Sequence, residues 1–438
     1  MPNHLQQPTE VAQKKRLIRG GQLIDPLSLT ETKSDLLIVD GRIAAIAEQI
    51  PVPEDCQITE AAGLTIAPGL VDLRVQAREP GNEHEETLAT ATESAVVGGV
   101  TTMVCLPNTD PPIDEPALIA WLNLRGRSLK KTKIYCYGAL TQGRKGERLA
   151  EMGLLQEAGA IGFTDAPQAI DRARLMVQAM KYARGFDALV HTHPEEPSLT
   201  HGVMNEGELA TRLGLAGRGT LAETLAVERD CAIAEATRSR LHIGPVTSAG
   251  SIAAIRRAKA RGVRVTCDTA AHYLVLTEAA VGNWRTFAKV APPLRAESDR
   301  LAVIAGIQDG TIDAVTSDHC PRGPDSKRLP FAQASFGMVG LESLLPLTLS
   351  LMHQPGLSLP QVIALLTSRP AQILGLEAGG LAIGSAADLI IFDPNREWSI
   401  NPADFSSRAK NSPLLDFPAR GKISQTWIDG VTVFTDRV

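Results

Sequence analysis

The chain has 438 residues, 44% of them hydrophobic and 21% charged, with a net charge of −5, a pI near 6.0 and a mean hydropathy of −0.02. That balance excludes global disorder and leaves no basic footprint for nucleic acid or an anionic membrane. At roughly 150 residues per domain the length allows about three units, or two if one is an α/β barrel of about 250 residues.

Met1 to Lys15 is polar and lacks the apolar stretch of a signal peptide. No apolar run approaches the ~20 residues that a membrane-spanning helix needs. Six cysteines (Cys56, Cys105, Cys136, Cys231, Cys267 and Cys320) lie far apart without a Cys-x-x-Cys pair. Reduced thiols in a soluble cytoplasmic protein fit this spacing better than disulfides or structural zinc.

Leu17 to Ile46 reads as short strands broken at Arg19-Gly20-Gly21, Asp25-Pro26 and Asp40-Gly41. Asp40-Gly41, between the apolar runs Leu36 to Val39 and Ile43 to Ile46, predicts a hairpin. From about Pro68, short apolar runs alternate with helical stretches such as Thr87 to Val97 and Ser251 to Ala260. Eight strands are predicted: Gly69 to Gln76, Thr101 to Leu106, Lys133 to Gly138, Ala160 to Thr164, Ala188 to His193, Arg240 to Val246, Val263 to Cys267 and Asp313 to Asp318. Strands too apolar for one wet face, each followed by a helix, imply a closed parallel barrel. After Leu381 the texture returns to strands, with Ala387 to Asp393 as a buried run and Lys422 to Phe434 as a hairpin turning at Asp429-Gly430. The predicted fold class is therefore α/β, a (β/α)8 TIM barrel at 67–376 beside a small β-sandwich domain built from 1–66 and 377–438. Neither terminal piece buries a core alone.

In such a barrel the chemistry sits at the C-terminal ends of the strands. The first strand region reads Ala67-Pro68-Gly69-Leu70-Val71-Asp72-Leu73-Arg74-Val75-Gln76-Ala77-Arg78-Glu79-Pro80-Gly81. Here the chain resembles the dihydroorotases of the metal-dependent amidohydrolase superfamily, which carry His-x-His and then Arg-(Asp/Glu)-Pro-Gly. Further matches are Gly98 to Thr109, Lys289 to Arg295, Ser317-Asp318-His319-Cys320-Pro321, Phe336 to Glu342, Gly384 to Leu389 and Lys410 to Pro413. The resemblance spans roughly Arg16 to Phe434.

The departures carry the functional expectation. The resemblance implies that the two histidines of His-x-His share a zinc ion, but this chain has Arg74 and Gln76 there. A guanidinium has no lone pair to offer, and an amide is a poor zinc ligand. A cation near Zn²⁺ is also repelled, by roughly 4 kcal/mol per unit charge pair at 4 Å in an intermediate dielectric. Pro245 stands where the family shows the sixth-strand histidine. Asp165, His193 and Asp318 match the remaining shell, Asp318 as ligand and general base. Arg78 and Asn108 match the pair that holds the substrate carboxylate. Ala291 replaces the asparagine of Asn-Pro-Pro-Leu-Arg, and Arg322 the second histidine of Asp-His-Ala-Pro-His.

Each residue also admits a plainer role. Arg74 either replaces the metal as a catalytic cation or fills the emptied space by neutralising Asp318 or Asp165. His191 and His193 either rebuild a zinc site with Asp165 and Asp318 or form an unligated pair. Arg78 and Asn108 either bind an anion or, for Arg78, hold the Glu79-Pro80-Gly81 loop. His319, His272, Cys320 and Cys267 read as packed residues, not catalytic ones. The glycine pairs Gly98-Gly99 and Gly379-Gly380 are punctuation, not phosphate loops.

With the ligand shell reduced to remnants, the expectation is a protein that is no enzyme and takes no cofactor. The resemblance extends to the non-catalytic dihydroorotase-like chain of bacterial aspartate carbamoyltransferase. It implies a pyrimidine-pathway pseudoenzyme that assembles with aspartate carbamoyltransferase catalytic chains, commonly six plus six. The alternative is a working cyclic-amide hydrolase with a centre rebuilt on Asp165, His191, His193 and Asp318. A third reading is a sensor that binds a pyrimidine precursor through Arg78 and Asn108.

Overall fold

Asp40 and Gly41 both take positive φ, 48° and 80°, the turn whose twist matches that of the strands it joins. They connect Thr30–Val39 to Arg42–Ala47. Asp429 and Gly430, at 47° and 69°, do the same between Phe417–Ile428 and Val431–Thr435. Both hairpins stand where their Asp-Gly pairs predict them. The computed structural model describes residues 14–353 and 356–436; the polar start of the chain, up to residue 13, lies outside the described residues. Among those described, no helix is long and apolar enough to cross a membrane.

The strands from the two ends of the chain join in one eight-stranded sheet. Its seam is the antiparallel pairing of Leu389–Ile400 with Thr65–Pro68, in which Leu389 faces Pro68 and Phe392 faces Thr65. Ile18, Leu36, Ile38, Ile43 and Ile66 from the first piece bury against Leu389, Ile391 and Trp427 from the second. Each such aliphatic side chain contributes roughly 1.5–3 kcal/mol on leaving water. Separated, each piece would expose its half of that cluster.

Gly69 links this sheet to the barrel, and a Cβ there would lie 2.0 Å from Thr101 Oγ1. The barrel comprises two parallel sheets. Leu70–Val75, Val100–Cys105 and Lys133–Cys136 form one, and Leu189–Thr192, Arg240–Ile243, Val265–Ala270 and Ala314–Thr316 form the other. Leu70–Val75 and Val100–Cys105 are buried at every position, as strands covered on both faces must be.

The predicted strand at Ala160 to Thr164 is corrected to single bridges, from Phe163 to Gly138 and to Val190. Its backbone is still satisfied on both sides: Phe163 N–H donates to Leu189 O at 2.9 Å and Gly138 N–H to Gly162 O at 3.0 Å. The ring closes on the other side through a bridge between Val75 and His319. Thr87 caps the helix Leu88–Val97 with a capping box, and Ser248 caps Ala249–Ala260.

Above the barrel mouth, the segment after Asp318 is ordered by a buried lysine. The Lys327 ammonium, 1% exposed, donates to the carbonyls of Ser335 at 2.7 Å, Thr286 at 3.0 Å and Lys289 at 3.3 Å. Burial pushes its pKa down to about 7.

Candidate active site at the barrel mouth

The period of two along the first barrel strand sends Asp72, Arg74 and Gln76 to one face. Asp72 accepts from the Thr316 hydroxyl and, at 3.2 Å each, from the backbone N–H groups of Ser317 and Arg74. It thus pins the first strand to the last. Arg74 is 1% exposed and borders a cavity of about 930 Å³ at the strand ends.

The Arg74 guanidinium sits where four acceptors converge. Nε donates to Asp318 Oδ1 at 2.6 Å, and Nη1 to Gly244 O at 3.0 Å and His191 Nε2 at 3.4 Å. Nη2 donates to His193 Nδ1 at 3.2 Å. Of the two partners left open for Arg74, the structure pairs it with Asp318. Burial works against the guanidinium, but Asp318 and Asp268 hold its pKa above the usual value. Burial also raises the Asp318 carboxyl, with the Arg74 charge opposing. Asp318 adopts φ 46°, a left-handed backbone that a carboxylate-bearing residue tolerates at modest cost.

His193 is fixed from behind. Its Nδ1 accepts from Arg74, so its Nε2–H donates to Glu195 at 3.0 Å. Glu195 in turn takes both oxygens to Arg218 Nη1, at 3.0 and 2.9 Å. Burial opposes the Glu195 charge, but His193 and Arg218 outweigh it and lower its pKa.

The other expected site residues are engaged elsewhere. Asp165 accepts from the backbone N–H groups of Leu140 and Thr141, at 2.9 and 3.0 Å, and from the Thr141 hydroxyl. Gln76 Oε1 accepts from Asn108 Nδ2 at 2.8 Å. Arg78 donates to Pro321 O at 3.1 Å and Cys320 Sγ at 3.2 Å, and pairs with Glu85 at 3.3 Å. Neither Arg78 nor Asn108 borders the cavity. Pro245 follows Gly244, whose carbonyl serves Arg74, and Ala291 lines the cavity without a polar group.

His319 Nδ1 accepts from Gly340 N–H at 3.2 Å, with Glu86 3.5 Å from the other nitrogen. Cys267 donates to Thr311 O at 3.2 Å, and burial drives its thiol pKa far upward. His272 packs on Tyr273 with ring centroids 4.2 Å apart, and burial pushes its pKa down to about 3. Because the unfolded state binds this proton below pH 6.5, stability is intact above that value and lost as pH falls toward 3. Between pH 7 and 5 the cost is about 2 kcal/mol. Urea unfolding across that range is therefore expected to show a shallower pH dependence in His272→Gln, by that amount.

A metal test follows from these contacts. Asp165, His191, His193 and Asp318 do not gather around a common ion position, because the guanidinium stands among three of them and Asp165 is bound to the Leu140–Thr141 backbone. The zinc centre implied by the resemblance does not fit at Arg74. Among the described residues, one other set could hold an ion: His191, His242 and Asp268, with ligand atoms within 4.8 Å of one another. Asp268 Oδ1 there has no hydrogen-bond partner, while Oδ2 meets His242 Nε2 at 2.9 Å. None of the three borders the mouth cavity. His242 lies in the predicted strand Arg240 to Val246, whose ligand position was read at Pro245, and Asp268 lies one residue beyond the predicted strand Val263 to Cys267, so neither was assigned a ligand role. Their signal was a polar residue inside an apolar strand.

A model of the dihydro-orotase-like family matches residues 47–251, and one of the amidohydrolase family matches 305–434. Among curated relatives, a protein named dihydroorotase from Geobacter sp. (strain M21) is 42% identical over 419 residues, 95% of this chain and 99% of its own. A dihydroorotase from Geotalea daltonii is 43% identical over 417 residues, 95% of this chain and 98% of its own. Solved structures share the fold. The L-hydantoinase (dihydropyrimidinase) of Arthrobacter aurescens superposes with a TM-score of 0.86 at 23% identity, covering 96% of each chain. The dihydropyrimidinase of Brevibacillus agri gives 0.83 at 20% identity, covering 97% of this chain and 95% of its own. The expectation of a protein that is no enzyme is overturned by these full-length relatives, which carry an enzyme's name. The physical reason lies in the site: losing imidazoles did not leave a hole, because a buried cation with ordered partners took their place.

Proposed function

Because the chain belongs to the dihydroorotase family of amidohydrolases, we propose that it hydrolyses a cyclic amide of the dihydroorotate type in the barrel-mouth cavity. The observation that carries this reading is the Arg74–Asp318 pair, 2.6 Å apart and bordering that cavity. Asp318 takes a proton from water as the water oxygen attacks the ring carbonyl carbon. It then returns that proton to the ring nitrogen as the carbon–nitrogen bond breaks, leaving an open-chain carbamoyl acid. A raised carboxyl pKa suits a group that accepts and then releases a proton near neutrality. A guanidinium has five N–H donors. Four of those on Arg74 are engaged, and the fifth, on Nη2, has no partner among the described residues. It is the donor available to the oxyanion that develops on the attacked carbonyl. His193, Glu195 and Arg218 hold the fork in position.

The test is turnover of dihydroorotate, and of N-carbamoyl-aspartate in reverse, by protein treated with a chelator and assayed for bound metal. Turnover at well below one metal ion per chain is the expected result. No turnover in either direction overturns the hydrolytic reading, and turnover that zinc alone restores overturns the part given to Arg74. The proposal extends to assembly with aspartate carbamoyltransferase catalytic chains, which rests on the resemblance. Transcarbamoylase that assembles and works equally well without this chain would remove that extension.

A further inference from the structure

A second cavity, of about 470 Å³, lies where the terminal sheet meets the barrel. It shares no lining residue with the mouth cavity. Trp398, Ile423 and Phe434 line it from the sheet strands, Leu345 from the helix Leu344–Leu349, and Phe405 from the connection after Leu389–Ile400.

Glu342 stands on the wall of this cavity although it is only 9% exposed. Its two oxygens are used unequally. Oε1 accepts from the Ser94 hydroxyl at 2.8 Å and from the backbone N–H groups of Ser406 and Ser407 at 2.7 and 3.2 Å. Oε2 has no partner among the described residues, and no cation among them forms an ion pair with Glu342. Burial raises this carboxyl to about 7, against the pull of its three donors and of the Lys410 charge.

The nearby cations are committed elsewhere. Lys422, on the wall, pairs with Asp436 at 3.1 Å, and Arg396 pairs with the same carboxylate at 3.0 Å. Lys410 donates to Phe405 O. Asp404, the other acid on the wall, is exposed and accepts from Asn401 Nδ2 at 2.9 Å. The helix Leu88–Val97 also ends on this cavity, through Val97 and Gly98, with no basic side chain in its last turn. That end lies against Glu342: a Cβ on Gly98 would stand 3.1 Å from the Glu342 Cα. A helix C-terminus carries partial negative charge and favours a cation. Aromatic faces attract one too.

We propose that this cavity binds a small organic cation, a primary ammonium on an aromatic body. The ammonium donates to Glu342 Oε2 near the helix end, and the body packs among Trp398, Phe405 and Phe434. An ammonium has three donors and no acceptor, which matches an unpartnered carboxylate oxygen. The site stands whether or not the mouth cavity hydrolyses a cyclic amide.

Calorimetry with phenethylamine and with 2-phenylethanol, the same body without the charge, tests the site. It is run at about pH 8, where Glu342 is ionised. Wild type is expected to bind one amine per chain, about 10-fold or more tighter than the alcohol. Glu342→Gln keeps an oxygen for Ser94, Ser406 and Ser407, and is expected to weaken the amine about 10- to 100-fold, the effect of losing one charge-assisted contact. The alcohol should be unchanged, and circular dichroism checks that the variant is folded. Asp318→Asn, at the mouth, is expected to leave amine binding as it is. No saturable binding of the amine at millimolar concentration overturns the proposal, as does a wild type that does not distinguish amine from alcohol. Amine binding that survives Glu342→Gln within twofold, or that is lost in Asp318→Asn, also overturns it.

Discussion

Arg74→Met is expected to cost about 3–5 kcal/mol of folding stability, the penalty for leaving a buried charge without its partner. Asp318 is 7% exposed and would lose its 2.6 Å bond to Nε, while Gly244 O and His193 Nδ1 would lose donors. The double variant Arg74→Met/Asp318→Asn is expected to recover part of the loss, because it removes both charges and asparagine tolerates the positive φ at 318. Arg74→Lys keeps the charge but not the fork, and should fall between wild type and methionine. Urea unfolding with unchanged m-values reads these differences. A loss below about 1 kcal/mol for Arg74→Met, the range of an exposed ion pair, would falsify the account of the guanidinium as the resident cation of this centre.

Asp318→Asn is expected to lower kcat on dihydroorotate by about 10²- to 10⁴-fold, the usual worth of a positioned general base. The amide oxygen can still accept from Arg74 Nε, so the fork stays in place and the substrate constant should move only a few-fold. That split separates a group acting on protons from one that merely supports the cavity. In wild type the acid limb of kcat is expected above the ordinary aspartate value near 3.9, because burial raises the Asp318 carboxyl. The limb should vanish in Asp318→Asn. Equal kcat in the two proteins would place the base elsewhere.

Motif positions carried chemical capability in their residue types. That Arg74 and Pro245 offer no lone pair to a metal follows from the side chains alone. It does not say what replaces the ion. The inference from lost ligands to lost activity treated the positions as independent, whereas the centre is a packed group. Arg74 meets Asp318, His193 and Gly244, which lie about 120 to 240 residues away along the chain. The same limit applies to Arg78. Its motif reads as substrate-binding, and only the fold shows its Nε and Nη2 donating to Pro321 O and Cys320 Sγ. Arg144 carries no motif at all, and its place on the cavity wall comes from the loop after the third barrel strand.

Local chemistry was sufficient where the determinant is local. The two Asp-Gly turns, the Thr87 helix start and the alternation of apolar strand and helix depend on neighbours a few residues apart, so the order of secondary structure could be read directly. The strand at Ala160 to Thr164 was the exception, reduced to bridges by what pairs beside it. Which side chains converge on one point was decided by tertiary structure. Burial forces each charged group to find a partner wherever the closed barrel brings one near, and that partner is distant in sequence.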